Sequence, residues 1–163
     1  MKESRERIHA AIKNSNLVFP ALKKITINLS PADVKKEGAG FDLPVAIGII
    51  TESSQITPEK IKDYVFIGEL SLDGKLRKVP GVLPITIEAK AKGFKGIILP
   101  KENAKEAAIV EGIDVYPFED LVEIYDFLNG RLVVEPYSLN INEVFKNERN
   151  YILDFSDVKG QAE

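Results

Sequence analysis

KEGAGFDLPVAIGII, Lys36 to Ile50, is the stretch whose reading decides the fold. From Leu43 to Ile50 every residue is apolar or glycine. A run this short suits a buried strand or a buried helix, and its period does not choose between them. Asp42 and Pro44 do. An aspartate is a good helix N-cap, because its carboxylate accepts from the orphan N–H groups of a first turn. Proline is harmless in that turn, whereas mid-strand it would delete a ladder bond. The stretch is therefore expected to start a helix at Asp42. Leu43, Ala46, Ile47 and Ile50 form its main apolar stripe, and Val45 and Ile49 widen it almost all round. A helix of that kind is covered on more than one side.

Gly38 and Gly40 precede it, and two readings of their loop stand side by side. Backbone N–H groups at a helix N-terminus can hold an anion or a nucleophile. Glycines there also simply permit a tight approach to a buried helix.

The 163 residues suit one domain, or one domain with a tail. With 44% hydrophobic and 29% charged residues, the chain has enough apolar material for a real core. Its net charge is −3, so no global attraction to nucleic acid or an anionic membrane is expected, only a local patch. There are no cysteines and a single histidine, His9, which excludes cysteine nucleophiles, cysteine zinc sites and disulfides. A reducing cytosolic location is compatible with that composition. No apolar run approaches the ~18 residues of a membrane span. MKESRERIH, the opening, has no signal-peptide apolar segment.

The remaining elements follow in order. Glu3 to Ser15 reads as a helix with Ile8, Ala11 and Ile12 inward and Lys2, Glu3, Arg5, Glu6 and Arg7 outward. His9 lies beside that charged face and has no second histidine as a metal partner. Lys24 to Ser30 alternates as a half-buried strand, with Ile25, Ile27 and Leu29 on one face. Thr57-Pro58 opens a short turn to Lys62, and Tyr64 to Leu70 reads as one strand. Asp73-Gly74 then signals a hairpin. A three-residue loop, Leu72 to Gly74, with glycine left-handed pairs Leu70 with Leu76 and Glu69 with Arg77. Such matched pairs stabilise by ~0.2–1 kcal/mol each, which favours this register over the two-residue turn. Val82 to Lys92 is an expected helix, with Pro84 in its first turn and Gly93 as its stop. Lys95 to Leu99 is a buried strand, and Asn103 is the expected cap of a helix to Val110. Ile113 to Tyr116 is a strand and Glu119 to Leu128 a final helix. This strand–helix–strand spacing implies a parallel pair with a right-handed crossover. Residues 1–130 are thus read as the domain, and 131–163 as a linker and extension.

Candidate chemistry is sparse. Gly68 to Leu76, GELSLDGKL, imitates a phosphate-binding loop but has the wrong spacing, ends in leucine and lies on a hairpin. No carboxylate pair has a recognisable cleft pattern. Lys75, Arg77 and Lys78 cluster on the hairpin, either as a solvated face or as a contact for nucleic acid or a protein partner.

KESRERIHAAIKNS, ITINLSPADVKKEGAGFDLPVAIGI, GELSLDGKLRKVPGVLPI and DVKGQ together resemble the N-terminal domain of the magnesium-chelatase-like AAA+ ATPase family, the ComM-like group. The resemblance covers nearly the whole chain in order. It implies an α+β fold like domain 2 of ribosomal protein S5, a mixed sheet with packed helices, shared with the Lon-type peptidase domain. Lys36 to Gly38, the Gly68-Glu69 hairpin and ILPKEN, Ile98 to Asn103, echo that peptidase domain locally.

The same resemblance bears on catalysis. Lon-type peptidases carry their serine in a K-D-G-P-S-A-G-like loop, and that position falls here on Gly40. Their general-base lysine falls at about Leu83. A Ser–Lys dyad needs an oxygen nucleophile and an amine of depressed pKa, and both residues are absent. Ser53 and Ser54 lie at the far end of the helix, more than two turns away at ~1.5 Å per residue. The expectation is a scaffold without catalytic, cofactor-binding or metal-binding residues, the alternatives being a divergent Lon-like hydrolase or a pure assembly module. FSDVKGQ, Phe155 to Gln161, resembles the opening of the family's AAA+ module. For the longer protein the resemblance implies ATP and magnesium, a cytoplasmic hexamer and action on DNA. The resemblance also implies further sequence before the KESRER helix that adds strands to the same sheet, so Met1 beside Lys2 is expected to be an imposed boundary or an internal start.

Overall fold

The computed structural model describes residues 2–19, 39–53, 55–140 and 149. The expected strand Lys24 to Ser30, the Lys36 to Gly38 part of the glycine loop, Ser54 and the tail from Tyr151 lie outside these residues. Five helices and five strands are described: α1 Lys2–Asn14, α2 Asp42–Glu52, β1 Tyr64–Phe66, β2 Glu69–Leu70, β3 Leu76–Arg77, α3 Val82–Ala91, β4 Gly96–Pro100, α4 Ala104–Ala107, β5 Asp114–Phe118 and α5 Leu121–Leu128. The fold is α+β.

β1, β4 and β5 form a parallel sheet in the order β1-β4-β5, while β2 and β3 form an antiparallel hairpin. β4 is central and buried along its whole length. That explains its unbroken apolar sequence, GIILP, since a strand covered on both faces does not alternate. Its side chains still divide between two cores. Ile98, with Tyr116 and Phe118 of β5, joins Ile12, Leu43, Ile47, Ile50 and Ile124 from α1, α2 and α5. Ile97 and Leu99, with Val115, join Val82, Ala89, Ala104 and Ala107 from α3 and α4. A fully buried side chain of this size contributes roughly 1.5–3 kcal/mol, so the two cores dominate stability. Gly96 admits the aromatic packing beside it, because a Cβ there would lie 3.1 Å from both Tyr116 and Tyr64.

The reading of Tyr64 to Leu70 as one strand is corrected. The chain leaves the parallel sheet after Ile67, whose N–H still reaches the Ile98 carbonyl at 3.1 Å. Gly68 then donates to Gly40 O at 2.9 Å and accepts from Leu43 N at 3.0 Å, which pins the hairpin to the start of α2. Its approach is close: a Cβ on Gly68 would stand 3.3 Å from Leu76 and Pro100 side chains. The hairpin register is the expected one, Glu69 opposite Arg77 and Leu70 opposite Leu76, with Gly74 left-handed at φ 86°.

Both expected caps are corrected as well. Phe41 stands at the N-cap of α2 without a side-chain bond, and Asp42 is the first helical residue. Asn103 stands at the N-cap of α4, but its side chain makes no capping bond there. That helix runs only from Ala104 to Ala107, after a short 3-10 turn at Lys101–Asn103. The side chain that does cap is Asp120, which accepts from Glu123 N at 2.8 Å at the start of α5.

Candidate nucleic-acid interface

Two fully buried polar side chains, Asp42 and Asn103, meet the hairpin. Asp42 is completely buried. Its carboxylate accepts from the Leu70 N–H at 3.1 Å, from Arg7 Nε at 3.2 Å and from the Ser4 hydroxyl. A buried carboxylate costs several kcal/mol unless paired and hydrogen-bonded, and here donors from three residues converge on it. Arg7, expected to face solvent, instead turns inward with its side chain 25% exposed. Its hydrogen bond to Asp42 holds the guanidinium protonated above its usual range, and the nearby charge of Glu69 adds to this. One carboxylate thus joins α1, α2 and the start of the hairpin.

Asn103 does the corresponding work at the other end. It is fully buried, accepts from Val79 N at 3.1 Å and donates to Val79 O at 2.9 Å. The loop between is held too. Asn14 Nδ2 donates to Leu72 O at 2.6 Å, Leu121 N to Gly74 O at 2.9 Å and Leu76 N to Glu119 O at 2.8 Å. Gly74 is needed there twice over, for its positive φ and because a Cβ would meet Ser15 Oγ at 2.5 Å.

On this clamped element Lys75, Arg77 and Lys78 are all exposed. Leu76, between the first two, is buried, so Lys75 and Arg77 share the outward side of the strand. Glu69 and Arg77 face each other in register, yet they make no ion pair within 4.0 Å. Among the described residues the ion pairs within 4.0 Å are Arg7–Asp42, Lys62–Glu59, Lys92–Glu88 and Lys101–Glu119. None of the three hairpin cations takes part. Three of the carboxylates nearby are engaged: Glu119 by Lys101 at 3.0 Å, Asp120 by capping α5, and Asp73 by Ser71 and the Lys75 N–H. The Ser71 hydroxyl bond holds the Asp73 carboxyl below the ordinary carboxylate range. The three cations are thus exposed beside carboxylates that keep their charge, with Glu69 opposite Arg77 in register and Lys75 acting on Asp73, and they stand outside the ion pairs of the described residues.

Gly40 and Leu83 are the positions where the Lon-type dyad would fall. A Cβ at Gly40 would have Ile67 Cδ1 and Val79 Cγ1 as its nearest neighbours, at 3.4 and 3.6 Å. Leu83 lies in the first turn of α3, where its amide donates to Glu106 Oε1 at 3.1 Å. Ser53 hydrogen-bonds back to Ile49 O at 2.7 Å within its own helix. No group of three or more His, Cys, Asp or Glu suited to a metal occurs among the described residues. Nor is any described helix long and apolar enough to cross a membrane.

The sequence reading missed the Ser4–Arg7–Asp42 cluster. A signal was there: Ser4 and Arg7 are three apart and lie on the helix stripe continued by Ile8 and Ala11. Polar residues on an otherwise buried stripe call for a buried partner.

Comparison with known proteins agrees with the architecture. Residues 1–103 match the family described as subunit ChlI of Mg-chelatase. The chain is 39% identical to competence protein ComM of Haemophilus influenzae over 99% of its length, covering 31% of that protein. It is 43% identical to YifB of Escherichia coli over 83% of its length, covering 26% of it. More distant likenesses are to DNA repair protein RadA of Aquifex aeolicus, 32% identical over 74% of the chain and 26% of RadA, and to Lon protease 2 of Borreliella burgdorferi, 27% identical over 79% of the chain and 17% of the protease. The chain therefore spans about a third or less of each relative, and on the match over residues 1–103 it belongs to the Mg-chelatase subunit ChlI family.

Proposed function

We propose that this chain is a non-catalytic N-terminal domain of a longer ComM-like AAA+ ATPase, and that its hairpin contacts DNA through the phosphate backbone. In this reading ATP and magnesium serve a module outside the described residues. The whole protein works as a cytoplasmic hexameric motor. The observation that carries the DNA contact is the exposure of Lys75, Arg77 and Lys78, outside every ion pair of the described residues, on a hairpin held at both ends. Cations on a rigid element lose little conformational entropy on meeting phosphates, whereas flexible ones lose more. The names of two relatives, a competence protein and a DNA repair protein, point the same way. Gly40 and Leu83 at the dyad positions support the absence of peptidase chemistry.

Three charges on one domain bind DNA weakly, and a ring multiplies them through effective concentration. Each phosphate contact to duplex adds ~0.9 to the slope of log affinity against log salt. Replacing Lys75, Arg77 and Lys78 together by Ala in the full-length protein is expected to weaken DNA binding and flatten that slope by about 2–3, with little loss of fold stability. Unchanged binding across a salt series would make the hairpin scaffold only and favour the assembly role.

A further inference from the structure

The segment after α5, read from the sequence as a linker, is fastened to the sheet. Arg131 and Leu132 both donate their N–H groups to Asp126 O, at 2.8 and 3.2 Å, which turns the chain back on itself. The Arg131 guanidinium lies 5.8 Å from the centre of the Tyr125 ring. Val134 then packs on the core between α1, α2 and α5, while Tyr137 packs on the opposite core under α3 and α4. Between them the chain passes over the sheet's edge, where Tyr137 N donates to Val115 O at 2.8 Å.

That edge belongs to β5, and its chemistry is specific. Successive residues of a strand point their backbone groups to alternate sides. Asp114 N donates to Lys95 O at 3.1 Å, so Asp114 faces inward beside β4. Val115, Pro117 and Glu119 then face outward. Pro117 has no N–H to leave unpaired there. Glu119 O accepts from Leu76 N of the hairpin at 2.8 Å, and Lys75 bridges to Asp120. One short edge thus holds the hairpin at its end and residue 137 at its start.

We propose that residues 131–140 are a strap that couples the chain beyond residue 140 to the hairpin through β5. Tension or release at the strap shifts β5, and the mooring of Leu76, Lys75 and Gly74 shifts with it. This regulates the hairpin surface whether or not that surface meets DNA, so its test needs no nucleic acid.

Amide hydrogen exchange of the whole chain reads both ends at once. The Tyr137 amide is expected to exchange at least ~10-fold more slowly than an open peptide. Val134→Ala and Tyr137→Ala each remove one apolar foothold. Both are expected to speed exchange at the amide of position 137 and, ~3–10-fold, at Leu76 and Leu121, while Ile98 in the central strand keeps its protection. Coupling is reciprocal, so loosening the hairpin loop by Asn14→Ala should speed exchange at Tyr137 in return. An unprotected Tyr137 amide in the unaltered chain would overturn the strap. Faster exchange confined to the strap in the first two variants, with Tyr137 unmoved by Asn14→Ala, would overturn the coupling. If Tyr137→Ala unfolds the chain, the milder Val134→Ala and Asn14→Ala still decide.

Discussion

Asp42 and Asn103 occupy equivalent places at the two ends of one hairpin, and they solve the same problem differently. Each stands at the start of a helix, each resembles a cap, and each turns from its helix to hold the backbone at one end of the hairpin. Asn103 is neutral and carries both a donor and an acceptor, so the N–H and C=O of Val79 alone satisfy it. Asp42 carries charge and only accepts, so the Leu70 N–H is insufficient and α1 must bring Arg7 and Ser4. The amide makes a local clamp. The carboxylate recruits a helix from elsewhere in the chain and makes its docking conditional on an ion pair.

That difference is testable by breaking each clamp. Asp42→Ala leaves the Leu70 N–H unsatisfied and Arg7 without its partner. Since Arg7 keeps some contact with water, the loss is expected at about 3 kcal/mol rather than the upper end for buried pairs. Urea unfolding monitored by circular dichroism measures it. Asp42→Asn, which keeps an acceptor but removes the charge, should cost clearly less, and α1 should loosen first by hydrogen exchange. Equal losses for the two variants would mean that charge is irrelevant to the docking of α1.

A smaller effect is expected at the other end. Asn103→Ala removes two neutral hydrogen bonds and leaves the Val79 backbone groups bare, a loss of about 1–2 kcal/mol. The protection of α1 amides should be unaffected. A loss as large as that of Asp42→Ala would erase the contrast between the clamps.

The smallest effect concerns the loop between them. Ser71 depresses the pKa of Asp73, an exposed group, so the associated stability is present above the ordinary carboxylate pKa and fades as pH falls through the depressed one. Ser71→Ala should move the Asp73 midpoint upward toward the ordinary value in a carbon-detected NMR titration. An unmoved midpoint would assign the depression to the loop backbone and Lys75.

The elements were largely legible because their signals are local. Pro44 with an apolar run marks a helix start, Asp73-Gly74 a bulged hairpin, and Gly93 a left-handed helix stop. The basic cluster was visible too, but not its lack of partners. Glu69 faces Arg77 in register without an ion pair between them, whereas its charge reaches Arg7 of α1. The break at Gly68 was hidden because Ile67 and Leu70 both look like strand residues; what separates them is the arrival of Gly40 and Leu43.

By itself the sequence determined which segments are helical or extended and which faces are apolar, since backbone preference and hydrophobic period depend only on near neighbours. Tertiary structure decided where the buried polar groups turn. Asp42 and Leu70 are 28 residues apart, and Asn103 and Val79 are 24 apart. A helix cap and a cross-chain clamp use the same side-chain oxygen, and the choice goes to whichever buried N–H would otherwise be left without a partner once the sheets and helices have packed.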